Sequence, residues 1–166
     1  DNDWPTLRFF DYWLKGIDNG IANEPPVTLF VMGRNEWRQE REYPLARTQY
    51  RKMYLHSGGN ANTRFGDGRL SWDAPGADQK PDSYRYDPAN PVPSLGGNNC
   101  CGTPTPAGPL DQRPNEKRAD VLVYTSEVLA NDIEVTGPVK LVLHASSDSA
   151  DTDFIAKLID VFPDGR

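Results

Sequence analysis

Apolar side chains recur at three- and four-residue steps near the start of the chain, at Leu7, Phe10, Trp13 and Leu14. That spacing predicts a helix over residues 5–15. Pro5 suits the first helical position and Gly16 the stop just past the end. Phe9, Phe10, Tyr12 and Trp13 crowd the segment with rings, so the helix is expected to be buried on more than one face. Val27 to Met32 is an almost continuous apolar run. It fits a strand covered on both faces, as in a parallel sheet. The charged stretch Arg34 to Arg41, with Trp37 inside it, then reads as a domain boundary.

Beyond that boundary the period changes. Arg51 to His56, Arg69 to Trp72 and Ser83 to Asp87 each predict a short strand. Asp120 to Thr125 predicts another around Val121-Leu122-Val123-Tyr124. Val139, Leu141 and Leu143 alternate with Lys140, Val142 and His144, the pattern of a half-buried strand. In Phe154 to Phe162, one face carries Phe154, Ala156, Leu158 and Asp160. The other carries Ile155, Lys157, Ile159 and Val161. Asp160 would then point inward and need a partner, expected among the arginines between Asp111 and Arg118. Pro163-Asp164-Gly165-Arg166 is turn chemistry that normally leads into a partner strand. The expectation is therefore a piece of a larger protein. Many short strands with frequent turn signals predict an all-β sandwich or barrel.

Composition sharpens this picture. The 15 prolines and 14 glycines concentrate between residues 56 and 118. Residues 88–118 are expected to form a long ordered loop rather than helix or strand. The formal net charge of −6 argues against a nucleic-acid partner, which needs a basic face. No apolar run reaches the length of a membrane span. Cys100 and Cys101 are the two cysteines. Their Cα atoms lie about 3.8 Å apart across a trans peptide, too close for an unstrained disulfide, so two free thiols are expected, with a strained redox pair as the alternative. A zinc site would need wider spacing and more ligands.

Candidate chemistry is sparse. No G-x-S-x-G nucleophile elbow occurs. His56 and His144 sit at predicted strand ends and read as structural or surface residues. Asp148, Asp151 and Asp153 lack the glycine and closing glutamate of an EF-hand, and read as a turn. Gly58-Gly59 and Gly96-Gly97 lie among loops and read as turn glycines, not a phosphate loop. No metal and no cofactor is implied.

One ordered series is more specific. It begins with Phe9-Phe10-Asp11-Tyr12-Trp13-Leu14-Lys15-Gly16 and continues with Val27 to Gly33 and Glu36-Trp37-Arg38. Next come Tyr86-Asp87-Pro88 and Pro91-Val92-Pro93-Ser94-Leu95-Gly96-Gly97. It ends with Asp111-Gln112-Arg113, Arg118-x-Asp120-Val121-Leu122 and Asp151-Thr152-Asp153-Phe154 through Lys157-Leu158 to Asp160-Val161. This series resembles the CocE/NonD serine hydrolases, a family of esterases, acylases and X-Pro dipeptidyl peptidases. The resemblance implies a mainly-β fold: a partial C-terminal jelly-roll (a galactose-binding-like β-sandwich) over residues 42–166. Residues 1–41 would be the last helix and strand of an α/β-hydrolase domain. It implies cleavage of ester or amide bonds through an acyl-enzyme by the parent protein. The catalytic triad would lie before residue 1 and further jelly-roll strands after residue 166. This chain alone would be inactive.

The resemblance further implies that Asn98, Asn99, Cys100 and Cys101 belong to a loop walling the acyl pocket. Family members that take aromatic acyl groups carry bulky apolar residues there. The cysteines imply a different, smaller or more polar group. The implied partners are a small ester or amide substrate, the hydrolase portion and the remaining jelly-roll strands. No nucleic acid or membrane is expected, and homo-oligomerisation and compartment are left open. A rival from another class is a stand-alone carbohydrate-binding jelly-roll using Trp72, Tyr84 and Tyr86 to stack on sugars.

Overall fold

A computed structural model describes residues 5–98 and 106–166. The chain divides into two compact units, Asp1–Tyr50 with Glu134–Leu143 and Arg51–Ile133 with His144–Arg166.

The first unit opens with helix α1, Pro5–Lys15. Gly16 ends it at φ 68°, a left-handed conformation that costs glycine no Cβ clash. Lys15 and Asp11 pair at 2.6 Å across one turn. Arg8 donates to Glu24 Oε1 at 2.5 Å, and Asn19 Nδ2 returns a bond to the Arg8 carbonyl at 2.8 Å. These bonds tie the helix to the loop behind it. Contrary to the expected burial, no described residue of α1 is buried, and Trp13 is 64% exposed. The rings have no covering layer within this unit.

Strands β1 (Val27–Val31) and β2 (Glu36–Glu40) form an antiparallel hairpin with Phe30 opposite Trp37. This corrects the expected parallel, two-sided strand and makes most of the charged stretch a strand. The cause is the turn. Gly33 (φ 86°) and Asn35 (φ 56°) accept left-handed backbone, so the chain reverses within four residues. Phe30 and Trp37 stack across the strands with centroids 5.1 Å apart, yet both stay exposed. The opposite face holds buried Val31 and Glu40. Glu40 is bracketed by Arg47 and Arg38. Arg47 Nη1 donates to it at 2.9 Å, and Arg38 Nε lies 2.6 Å from it without the alignment of a hydrogen bond. Arg38 also donates to both oxygens of Glu134, at 2.7 and 3.0 Å, which attaches the later segment to the hairpin.

The second unit is built on β3 (Tyr54–His56), β4 (Arg69–Ser71) and β5 (Thr125–Ser126). β3 pairs antiparallel with β4, and β5 joins β4 in parallel. Val123 N donates to Ala61 O and Thr63 N to Val121 O, each at 2.9 Å, which extends the contact beyond the named strands. Ala61 is fully buried there. A side chain at Gly68 would run into the Val123 carbonyl. Asp82 closes this corner. Its carboxylate accepts from Ser57 Oγ at 2.6 Å, Ala61 N at 2.8 Å and Tyr124 Oη at 2.7 Å. Burial opposes its charge, but the three donors outweigh that and hold its pKa below the ordinary value. Burial and the same contact push the Tyr124 phenol upward.

Five short strands and two helices are the named α and β elements among the described residues, so the fold is mainly β as expected. Three expected strands do not form. Residues 83–87, 139–144 and 154–162 join no ladder, and Ile155 is 87% exposed. An alternating apolar pattern becomes a strand only when a neighbour takes up its backbone groups. The same fact corrects the reading of Asp160. It is exposed, because its segment packs no face inward. Arg113 and Arg118 are already paired, with Asp111 and Asp120. The Pro163–Asp164–Gly165 turn does form, with Gly165 N donating to Phe162 O at 2.8 Å.

Candidate functional site

The loop singled out in the sequence is anchored at its base. Proline lacks an N–H, so residues 88–97 cannot supply the donors of a regular ladder. Their carbonyls still need partners. Side chains on the following segment provide them. Asn115 Nδ2 donates to Pro93 O at 2.7 Å, Gln112 Nε2 to Leu95 O at 2.9 Å and Arg118 Nη2 to Asn90 O at 2.7 Å. Gln112, Asn115 and Arg118 follow at three-residue steps in and around the short helix α2 (Arg113–Glu116), a single helical turn that corrects the expectation of loop alone over residues 88–118. Pro114 near its start and the buried Asn115 suit a single helical turn.

The two limbs of the loop meet at Gly97 and Gly108. Each N–H donates to the other's carbonyl, at 2.8 and 2.9 Å. Gly96 (φ 61°) is obligatory there, because a Cβ would press on the Gly108 carbonyl and on Leu110. Gln112 spans both limbs, donating to Leu110 O at 2.9 Å as well as to Leu95 O. Lys157 Nζ donates to Leu95 O at 3.1 Å and to Gln112 Oε1 at 3.0 Å. Asp111 is held by Arg113, whose side chain and backbone N–H donate to it. Those bonds lower its pKa to about 2.

Of the four loop residues expected to wall a pocket, Asn98 is exposed and follows the Gly97–Gly108 clamp directly. Asn99, Cys100 and Cys101 lie outside the described residues. Sequence reasoning missed Gln112, Asn115 and Lys157. The first two had a signal: polar residues three apart, just after a proline-rich segment with unmet carbonyls. Lys157 had none, because its contact spans 45 residues of chain.

Elsewhere in the second unit an open cavity of about 450 Å³ is lined by His56, Ser57, Asp67, Arg69, Asp78 and Gln79 among others. It holds no nucleophile–base pair. The Ser57 hydroxyl is spent on Asp82, and His56 Nε2 lies 2.8 Å from the Asp73 carbonyl oxygen. His144 and Asp148, Asp151 and Asp153 are exposed. Among the described residues no group of three or more His, Cys, Asp or Glu side chains could hold a metal ion. No described helix is long and apolar enough to cross a membrane.

Comparison with known proteins gives the context for this arrangement. Residues 19–166 match the model of the X-Pro dipeptidyl-peptidase C-terminal non-catalytic domain. The chain is 51% identical over 158 residues to cocaine esterase of Rhodococcus sp. strain MB1 Bresler, covering 95% of this chain and 27% of that protein. It is 34% identical over 177 residues to a protein of Mycobacterium tuberculosis named as a serine esterase, covering 100% of this chain and 25% of that protein. It is 28% identical over 163 residues to a protein of Bacillus anthracis named as an Xaa-Pro dipeptidyl-peptidase, covering 96% of this chain and 23% of that protein. The chain thus spans about a quarter of the length of these curated relatives. It belongs to the X-Pro dipeptidyl-peptidase C-terminal non-catalytic domain family.

Proposed function

From that membership, we propose that the chain is the β-rich support of a CocE/NonD-type serine hydrolase. The parent cleaves ester or amide bonds through an acyl-enzyme. Serine attacks the carbonyl, histidine moves the proton and an oxyanion hole holds the developing charge. In this reading residues 1–41 complete the hydrolase domain, and residues 42–166 begin the jelly-roll. The rest of the parent covers the exposed rings of α1 and supplies the strands that residues 139–144 and 154–162 lack. The triad belongs to the parent. This chain contributes packing and one wall of the acyl pocket.

The observation that supports the pocket wall is the anchored loop base. Gly97 and Gly108 clamp the limbs, and four side chains hold the carbonyls beneath them. A wall that discriminates acyl groups has to keep its shape, and this base supplies fixed ends. The identity to an esterase across 95% of the chain supports the ester chemistry.

The test uses the full-length parent and p-nitrophenyl esters. Hydrolysis should be present, and it should vanish when the serine of the parent's G-x-S-x-G elbow becomes alanine. Replacing Cys100 and Cys101 with bulky apolar residues should change the ranking of acyl groups. A ranking that stays the same removes the pocket-wall role.

A further inference from the structure

Resting on the pocket-wall reading, we infer that Gln112 is a positioning residue that sets the spacing of the two loop limbs, with Lys157 fixing which way its amide points. A glutamine side chain offers two N–H donors on one end and an acceptor oxygen on the other. Here the Nε2 end meets Leu95 O and Leu110 O, one carbonyl from each limb. An ammonium can only donate. Lys157 Nζ, 3.0 Å from Oε1, therefore requires the oxygen to face it and turns the amide nitrogen toward the carbonyls. Lys157 also donates to Leu95 O, so one carbonyl is shared by both residues. The Gly97–Gly108 clamp lies beside this brace in sequence, with Gly96 next to Leu95 and only Pro109 between Gly108 and Leu110.

Gln112→Glu is nearly isosteric and isolates the claim. It strengthens the charge contact to Lys157 but puts an acceptor oxygen where Nε2 stood, facing two carbonyl oxygens, so the brace fails on the limb side. Lys157→Met keeps Gln112 and removes only the orienting charge. Lys157→Arg keeps a donor and should restore most of the behaviour.

The variants would be made in the full-length protein. Hydrogen exchange at the Gly97 and Gly108 amides would be measured beside kinetics on p-nitrophenyl acetate, butyrate and benzoate. In Gln112→Glu, exchange at both glycines is expected to quicken at least tenfold. The kcat/KM for butyrate and benzoate should change at least fivefold relative to acetate. The change should fall in KM, with kcat within twofold. Lys157→Met should move both readouts in the same direction by less. Unchanged exchange in Gln112→Glu overturns the brace, whatever the kinetics. Faster exchange with an equal effect on all three esters overturns the specificity role and leaves the brace. A full-length protein that hydrolyses none of the esters defeats the proposed hydrolase instead, and the exchange arm still decides the brace.

Discussion

Removing the Asp82 carboxylate is the sharpest single perturbation of the second unit. Three donors converge on it, from Ser57, Ala61 and Tyr124, at 2.6 to 2.8 Å. A hydrogen bond to a charged acceptor contributes roughly 1.5–3 kcal/mol, and a buried donor left unmet costs about as much. The three do not simply add. Ser57 and Tyr124 are half-buried hydroxyls that can turn to water, whereas the Ala61 N–H belongs to a fully buried residue. Counting the amide in full and each hydroxyl in part, Asp82→Ala should cost about 2–4 kcal/mol. Asp82→Asn keeps an acceptor for Ala61 and lets the hydroxyls reorient, so it should cost about 1–2 kcal/mol. The assay is urea unfolding of the full-length protein followed by tryptophan fluorescence, compared at constant slope. The pH dependence has a definite sign. The folded pKa lies below the ordinary value, so the stabilisation is complete above about pH 4 and is lost as pH falls through the folded pKa. The gap between wild type and Asp82→Asn should narrow below pH 4. An Asp82→Ala cost under about 0.5 kcal/mol, the range of an ordinary surface change, would refute the reasoning. So would an Asn variant as damaging as Ala.

Three further outcomes follow from the same structure. Gly96→Ala forces a side chain into left-handed backbone against the Gly108 carbonyl. It should cost at least about 1–2 kcal/mol and speed exchange of the Gly97 amide, and unchanged protection there would contradict the clamp. Glu134, held by Arg38 and Thr136, should titrate near pH 2 by carboxyl NMR. It should return toward about 4.3 in Arg38→Met, so a midpoint near 4.3 in the wild type would exclude the ion pair. Tyr124 should keep its proton above the ordinary phenol range in alkaline ultraviolet titration, with Tyr124→Phe removing that late component.

Sequence pattern revealed the elements whose cause is local. Pro5 and Gly16 bound α1 within the chain itself, and the Pro163–Asp164–Gly165 turn needed only its own residues. Tyr54–His56 and Arg69–Ser71 lie inside their expected ranges. Pairing was harder to read. Val27 to Met32 has the composition of a two-sided strand, yet the Gly33 and Asn35 turn makes it half of a hairpin. Residues 139–144 and 154–162 alternate as strands should, but alternation specifies a face and not the neighbour that completes it. The loop site was legible as a place, through its prolines and glycines, and not as a mechanism. Its brace joins Lys157 to Leu95 across 62 residues, and no local pattern encodes such a contact.

The most direct measurement is ester hydrolysis by this polypeptide alone beside its full-length parent, at equal molar concentration and after rigorous removal of contaminating esterases. The parent is expected to turn the ester over, and the isolated chain to show a rate no different from buffer. Hydrolysis that co-elutes with the isolated chain and scales with its concentration would contradict the claim that this family's domain supports the chemistry without performing it.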